Sequence, residues 1–382
     1  MIRTAIKTLS LTIAVAAGIA LAQTGTHTNG TATLTATDVS ILEIDTPQNL
    51  HCKINLNTHG SQSVDISYDK WARAKSSTQE QRFIDLIEIK FDAKSINEDR
   101  MTIKVLSPTR APWEGTDYGV GVTLNILVPK DFEIESRSTN SELDFTGPLS
   151  RAKIENDYGE ITIGDVHGMT VIKTSYSTIS LSRLSGEVNI DAVNSPITAD
   201  NIILDEDTGL FETTNAEVKL NNIVGSLEAQ TSYNSITAQN VITDDGSVVL
   251  RTTYGKIDAR GIKAELVCET SYEQIKLSDI DLTHGLSTFE TSFSPIDIEF
   301  SNIIDSEVSI NNSYSGINIS LPPKPSAKLI LTVDEGGKIH TQGFPIKPLV
   351  MQKDRLVGIV GDGLSKVEAN IDGIGEINIQ GR

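Results

Sequence analysis

The chain has 382 residues, a formal net charge of −19 and a pI near 4.7, so its surface must be strongly acidic. Nucleic acids and anionic membranes bind to basic patches, and this charge disfavours both as partners. Two cysteines are too few for a disulfide scaffold. Aromatic residues make up only 5% of the chain, so Ile, Val, Leu and Ala must build the core.

The first residues have the pattern of a secretory signal. Arg3 and Lys7 precede an apolar run, Leu9–Leu21, and Ala20–Ala22 matches a signal-peptidase site. We therefore expect residues 1–22 to be removed on export. The sequence predicts no transmembrane segment in the mature chain, which we expect to be periplasmic, associated with the cell surface, or secreted.

Two regions follow the signal. Residues 23–36 are rich in Thr and Gly, which predicts a flexible leader. Residues 37–136 contain runs of alternating apolar and polar residues, as in Leu50–Leu56 and Val120–Val128, and a further predicted strand at Ile84–Phe91. This region is predicted to be β-rich, either as a small sandwich or as irregular first turns of the repeat that follows.

A seven-residue motif then recurs ten times between Thr139 and Ile319, at intervals of 18 or 21 residues. Asp157–Ile163 is a typical copy. A fixed period near 20 is typical of a solenoid, in which each repeat buries its apolar side only against its neighbours. Positions 5 and 7 of the motif are always apolar and position 6 is always polar. Each copy therefore predicts a strand that faces inward at positions 5 and 7.

These repeats predict an all-β fold: a parallel β-helix of about ten coils of 18–21 residues. The coils are expected to span residues 137–321, and each should be closed by a second strand. Residues 322–382 are predicted to form irregular final coils and a cap, with Gly343–Leu364 as a loop plus cap.

Position 2 of the motif is aromatic in seven copies. In register, these side chains would form a ladder along one corner of the fold, either as a device that fixes the register or as a strip that binds carbohydrate. The structural interpretation is the stronger one, and the residues are also the candidates for a binding surface. They are Tyr158, Tyr176, Tyr233, Tyr254, Tyr272, Phe293 and Tyr314.

The outward residues of the predicted second strands are a mixed set of charges. A solvated face is the favoured interpretation, and no catalytic or phosphate-binding motif occurs in the sequence. The alternative is a polysaccharide lyase or hydrolase of the β-helix type. Its candidate residues are Glu212, Glu269 and Glu290, with Arg251 or Lys173.

Several longer repeats carry acidic residues at one turn. Oxygen-rich loops can bind Ca²⁺, although Asp is also a common turn residue in solvent, and that second interpretation is favoured. We therefore predict no metal and no cofactor. The candidates for a weak cation site are Asp205, Asp207, Asp244 and Asp245.

Both cysteines occupy apolar positions of their strands. Cys268 falls in the column of Leu250 and Phe289, and Cys52 lies on the apolar side of its own strand. They are predicted to be buried free thiols that act as small hydrophobic residues. A disulfide between them is the alternative.

The chain resembles the bacterial putative-adhesin β-strand-repeat family over about residues 37–382. The resemblance rests on the repeated motif, as at Thr253–Ile257, on the strand Ile126–Lys130 before the repeats, and on the closing Gly375–Ile379. It implies an exported β-helical domain and an adhesin-like role, and it supplies no catalytic residues.

The sequence therefore predicts an exported, non-catalytic protein of the cell envelope. A stacked rod offers an extended rigid surface, which we expect to bind a surface glycan or another envelope protein. Two alternatives stay open. One is the polysaccharide lyase or hydrolase, and the other is a structural periplasmic scaffold with no ligand.

Overall fold

The computed structural model describes residues 25–93, 99–206, 208–334 and 336–382. Within these ranges the chain forms 27 strands and a single α-helix, which confirms the all-β class. The chain divides into two compact units, Met1–Met169 and Thr170–Arg382. The signal peptide predicted at residues 1–22 lies outside the described residues. The predicted domain boundaries remain predictions.

The first unit contains one helix, seven complete strands and most of an eighth. They are β1 (Thr26–Thr35), β2 (Ile41–Asp45), β3 (His51–His59), β4 (Ser63–Arg73), α1 (Ser77–Asp85), β5 (Glu88–Ala93), β6 (Arg100–Leu106), β7 (Gly119–Pro129) and β8 (Glu133–Ser175), whose last residues belong to the second unit.

Parallel pairing forms the centre of the first unit. Strand β2 lies between β6 and the start of β8, and β3 lies between β7 and a later part of β8. Antiparallel strands cover the outer side, because β4 pairs with β7, β1 pairs with β4, and β5 pairs with β6. The buried side chains of β3 are Cys52, Ile54 and Leu56, as the alternation predicts.

The flexible leader predicted at residues 23–36 is wrong where the structure describes it. Residues Thr26–Thr35 form β1, in register with β4 from Ala72 to Ser63. The reason is a period-two pattern in which Ala32, Leu34 and Ala36 are buried between threonines. Small apolar residues were sufficient for a strand, although the composition of this stretch is typical of a loop.

The strand predicted at Ile84–Phe91 begins later than expected. Helix α1 includes Ile84, and β5 starts at Glu88. The Ser76 side chain accepts a hydrogen bond from the Gln79 amide at 3.3 Å, which caps the helix. The apolar residues Phe83 and Ile84 are buried on the inner face of this helix.

The second unit consists of the end of β8 and nineteen further strands. They are β9 (Ser177–Gly186), β10 (Val188–Val193), β11 (Ile197–Leu204), β12 (Gly209–Thr213), β13 (Val218–Val224), β14 (Leu227–Gln230), β15 (Ile236–Arg251), β16 (Ile257–Glu269), β17 (Ile275–Leu282), β18 (Leu286–Thr291), β19 (Ile296–Ile303), β20 (Glu307–Asn312), β21 (Ile317–Leu321), β22 (Ala327–Val333), β23 (Lys338–Gln342), β24 (Lys347–Met351), β25 (Arg355–Val360), β26 (Ser365–Ile371) and β27 (Glu376–Gly381).

These strands pair in two parallel ladders. The first ladder runs β9, β11, β13, β15, β16, β17, β19, β21, β27, β23. The second runs from the end of β8 through β10, β12, β14, the ends of β15 and β16, and then β18, β20, β26, β22. Both ladders are parallel because each strand pairs with its equivalent in the neighbouring repeat.

The register of the first ladder confirms the inward columns read from the sequence. Motif position 5 of each repeat pairs with position 5 of the next, as in Val218 with Ile236 and Ile236 with Ile257. These side chains are buried, and so is Cys268 between Leu250 and Phe289 in the second ladder. Each buried Ile or Leu contributes roughly 1.5–3 kcal/mol.

The order of the last strands differs from their order in the chain. Strand β26 lies between β20 and β22, and β27 lies between β21 and β23. The stretch Gly343–Leu364, predicted as a loop plus cap, instead contains an antiparallel hairpin of β24 and β25, with β25 also pairing with β22. The hairpin pairs with the outer side of β22, so that strand has a partner on both sides.

We expect Ile236→Asp to destabilise the second unit by at least about 3 kcal/mol, because it buries an unpaired charge at a fully buried position. The matched control is Thr237→Asp. Its side chain points outward between Lys219 and Asp258, so the change should cost less than about 1 kcal/mol. Urea unfolding followed by circular dichroism measures both. Equal losses would contradict the observed register.

Amide hydrogen exchange should be slow in β26 and β27, because each lies between two parallel partners. It should be faster in β24, which pairs only with β25 in the described part of the chain. Mass spectrometry of peptic peptides from 347–351 and 365–381 provides the comparison. Fast exchange throughout 365–381 would contradict the placement of β26 between β20 and β22 and of β27 between β21 and β23.

Candidate functional site

The outward side chains of the second ladder lie in one column, in the register expected from the sequence. Each residue pairs with the next along the ladder, so neighbours are one strand spacing apart, about 4.8 Å. The column is Lys173, Asp191, Glu212, Gln230, Arg251, Glu269, Glu290 and Asn311.

A polar groove of about 400 Å³ opens along the later part of this column. We name it the Arg251 groove. One side is the outward column, the opposite side is motif position 1, and the residues between them precede the motif. Its lining residues are Gln230, Thr231, Arg251, Thr252, Thr253, Glu269, Thr270, Ser271, Glu290 and Ser292.

Arg251 is held between two carboxylates. Its Nε donates to Glu269 Oε2 at 2.8 Å, and its Nη1 donates to Glu228 Oε1 at 2.7 Å. The hydrogen bond that Arg251 donates to Glu269 is the main cause that raises the pKa of Arg251 above its ordinary value. The guanidinium is therefore a fixed positive charge whose orientation is set by the two bonds.

Glu290 lies next to Glu269 in the ladder and also lines the groove. In the part of the chain that the structure describes, its carboxylate forms no hydrogen bond or ion pair with another side chain. The groove thus combines an oriented Arg, a carboxylate with free acceptor positions, the Gln230 amide and several hydroxyl groups.

Buried hydroxyl groups tie successive repeats together beneath the groove. Thr231 Oγ1 donates to the Ala216 carbonyl at 2.9 Å, and Thr270 Oγ1 donates to the Gly255 carbonyl at 3.0 Å. Thr252 makes the equivalent bond to the Asn234 carbonyl at 3.1 Å. These bonds fix the turns that carry motif position 1. The buried residue before the motif therefore determines where that side of the groove lies.

These buried residues before the motif were not among the predicted site residues. The signal is nevertheless present, because the residue before the motif is Ser, Thr or Asn in nine of the ten copies. The nine are Ser138, Asn156, Thr174, Thr213, Thr231, Thr252, Thr270, Thr291 and Asn312, and Ala192 is the exception. All ten are buried.

The predicted aromatic ladder forms over five neighbouring repeats. Ring centroids are 5.1 Å apart between Tyr233 and Tyr254, and 4.7 Å between Tyr254 and Tyr272. Phe293 and Tyr314 continue the stack at 5.2 and 5.4 Å. The planes of adjacent rings differ by 5° to 14°, so each ring covers the faces of its neighbours. Inside the stack, ring edges rather than ring faces meet the solvent.

The remaining candidates at motif position 2 are exposed. Tyr176 precedes Asn194 and Asn215 at this position in the second unit, and Asn215 Nδ2 donates to Asn194 Oδ1 at 2.7 Å. Tyr158 is half exposed and belongs to the first unit. The five-ring stack therefore includes Tyr233, Tyr254, Tyr272, Phe293 and Tyr314 of the seven predicted residues.

The acidic turns do not converge. Ile203 and Ile242, which precede them, are two strand spacings apart through Val224, about 10 Å. One Ca²⁺ ion at 2.3–2.6 Å from each ligand is therefore poorly placed to bind both turns. Among the described residues there is no group of three or more candidate metal ligands. Asp207 lies outside them. Asp205, Asp244 and Asp245 are exposed.

The structure brings together part of the alternative catalytic set. Arg251, Glu269 and Glu290 line the groove, and Glu212 and Lys173 do not. Glu212 is three strand spacings from Glu269, about 14 Å, which is larger than the carboxylate separations used in glycoside hydrolysis. The adjacent pair, Glu269 and Glu290, is at one spacing, and Arg251 engages the first of them.

No family model matches this chain, and no curated protein matches it. A solved structure, that of a putative cell adhesion protein from Clostridium sporogenes, is similar over 94% of this chain and 100% of its own, with 9% identity and a TM-score of 0.20. In the described ranges, no helix is long and apolar enough to cross a membrane.

The structure confirms that both cysteines are buried and free. Burial raises the pKa of the Cys52 thiol from 9.0 to about 12, and it raises the pKa of Cys268 as well. Neither thiol forms a thiolate near neutral pH, so neither is a nucleophile in the folded protein.

We expect both thiols to react with a thiol reagent at pH 8 only after unfolding, when two free thiols should be titrated. The raised pKa values also predict that stability falls as pH rises between about 9 and 12, because the unfolded chain loses these protons first. Urea unfolding across this range measures the fall, with Cys52→Ala as the comparison. Fast labelling of the native protein would contradict the prediction.

Proposed function

We propose that this chain is an exported, non-catalytic protein of the cell envelope that binds a surface glycan in the Arg251 groove. The two parallel ladders support a parallel β-helix of about ten coils, and the export signal read from the sequence supports a periplasmic or surface location. The resemblance to the adhesin-like repeat family fits this role. An envelope protein is the other ligand class, to be distinguished by experiment.

One observation carries the proposal: an oriented guanidinium, a carboxylate with free acceptor positions, an amide and hydroxyl groups all line the same groove. A sugar hydroxyl both donates and accepts hydrogen bonds, so a mixed set of fixed donors and acceptors suits it. Glu228, Glu269 and Glu290 outweigh Arg251, which leaves a local charge of −2. We therefore expect neutral or amino-sugar glycans rather than acidic ones.

The aromatic ladder has a different role in this proposal. Sugar rings stack on exposed aromatic faces, and the faces inside the five-ring stack are covered by neighbouring rings. The ladder fixes the register of the turns that carry Thr253, Ser271 and Ser292 at motif position 1. Only the two end rings, Tyr233 and Tyr314, each have one face without a ring of the stack against it.

The test is binding of the mature chain to an array of neutral, amino-sugar and acidic glycans, with in-cell crosslinking to recover the native ligand. Glu290→Gln should weaken binding roughly tenfold, and Arg251→Ala by more, because it leaves two carboxylates unpaired. Lys276→Ala, an outward residue of the first ladder, is the matched control and should change nothing. Glycan binding that both groove variants leave intact would rule out the groove.

The same glycan array and crosslinking experiments distinguish glycan binding from an enzyme, an envelope-protein partner and a scaffold without a ligand. Release of reducing or unsaturated sugar ends, lost in Glu269→Gln, would identify a hydrolase or lyase. Crosslinking to a protein through the groove would favour an envelope partner. A scaffold without a ligand predicts no retained glycan, no crosslinked partner and no released ends.

A further inference from the structure

Three apolar side chains form a stripe on the surface of the second unit. Ile203, Val224 and Ile242 are neighbours in the first ladder and are 57%, 49% and 44% exposed. Single apolar residues are common on protein surfaces, whereas adjacent ones indicate an interaction site. We name these three residues the apolar stripe.

Acidic residues lie in the turns that follow the apolar stripe. Asp205 and Glu206 come two and three residues after Ile203, and Asp244 and Asp245 come two and three residues after Ile242. All four are exposed. Within the described ranges one ion pair involves them, from Lys263 Nζ to Asp244 Oδ1 at 3.4 Å, and the Asp244 side chain is 86% exposed. This surface suits a partner that is both apolar and basic.

The hairpin of β24 and β25 is both apolar and basic. Leu349, Val350 and Met351 are 53%, 37% and 68% exposed, and every residue of β24 is exposed. Lys347 and Lys353 flank them, and the structure gives neither an ion pair in the residues it describes. An apolar, basic hairpin is unusual in a chain whose net charge is −19.

The hairpin cannot reach the apolar stripe of its own copy. Five strand spacings separate β15, which carries Ile242, from β22 along the second ladder, about 24 Å. The hairpin lies beyond β22, since β25 pairs with it and β24 pairs with β25. The two surfaces can therefore meet only between molecules.

We propose that the hairpin of one molecule docks on the apolar stripe of a second copy of this chain. The two contacting surfaces differ, so the contact is heterologous, and repeating it joins molecules head to tail. Three apolar residues and four carboxylates are a small surface, which places the contact in the weak, concentration-dependent class. Opposite charges across it make it weaken as salt rises.

The test uses sedimentation velocity of the mature chain at low and high ionic strength. We expect the average mass to rise with concentration at low salt and to fall when salt is added. Asp205→Lys with Asp245→Lys, or Lys347→Glu with Lys353→Glu, should weaken association at least tenfold. Lys75→Glu with Arg110→Glu, exposed residues of the first unit, is the matched control and should associate like the unmodified chain.

Mixing the two charge-reversed variants gives the decisive result. The stripe variant leaves its four charged side chains with no net charge, and the hairpin variant opposes two negative surfaces. In a mixture, the unmodified stripe of the hairpin variant meets the unmodified hairpin of the stripe variant, which restores one contact for each pair of molecules. We expect the mixture to regain association. Carbodiimide crosslinking of the unmodified chain should join Lys347 or Lys353 to Asp205 or Asp245 in dimers, which tests the contact without any variant.

Four outcomes would overturn the proposal. They are a monomer at every concentration in low salt, association that survives either pair of substitutions, a mixture that stays monomeric, and dimers whose crosslinks lie elsewhere. Association retained by the stripe variant would point to hairpin-to-hairpin pairing instead. Circular dichroism of each variant verifies that it is folded.

Discussion

Parallel pairing in register places every side chain beside the residue at the same motif position in the next strand. This constraint decides which residues the second unit can use. Apolar columns are favourable, because Val218, Ile236 and Ile257 each bury their neighbours. Like charges in a column repel each other at about 4.8 Å, and the outward column reduces this repulsion where Arg251 lies between Gln230 and Glu269. Like charges remain adjacent at Asp191 and Glu212 and at Glu269 and Glu290.

The same constraint supports the proposed binding role over the catalytic alternative. Catalysis requires different groups to converge on one atom, whereas a ladder spreads groups at equal spacing along a line. The Arg251 groove is a local exception, because an Arg between two carboxylates orients donors toward a space that hydroxyl groups also line. In the proposed function, such a groove would select a ligand by hydrogen bonds along its length.

Much of the fold could be predicted because its pattern is local. The period-two alternation identifies the inward columns, and the spacing of the motif gives their register. The buried Thr231 and Thr270 column was missed because Thr is ordinarily read as a solvated turn residue, and its bonds go to carbonyls of the preceding repeat. The strand at Thr26–Thr35 was missed because its apolar residues are small.

Other features could not be read from the sequence for a different reason. The pairing of β26 with β20 and β22 joins distant residues, and no local pattern encodes strand order. The ion pairs that orient Arg251 depend on side chains from three strands. The sequence predicted which residues form the outward column. It did not predict that the neighbouring turns make this column one side of a groove.

The inserted position of β26 and β27 has a consequence for how the protein is made. Strands β22 and β23 leave the ribosome before the two strands on which they stack. Growth of the ladders in the order of synthesis must therefore pause after β21, and a segment of more than forty residues, 322–364, has to wait for its template. A molecule whose synthesis stops early therefore keeps the edges of β20 and β21 open to proteases and chaperones, so only the complete chain closes both ladders.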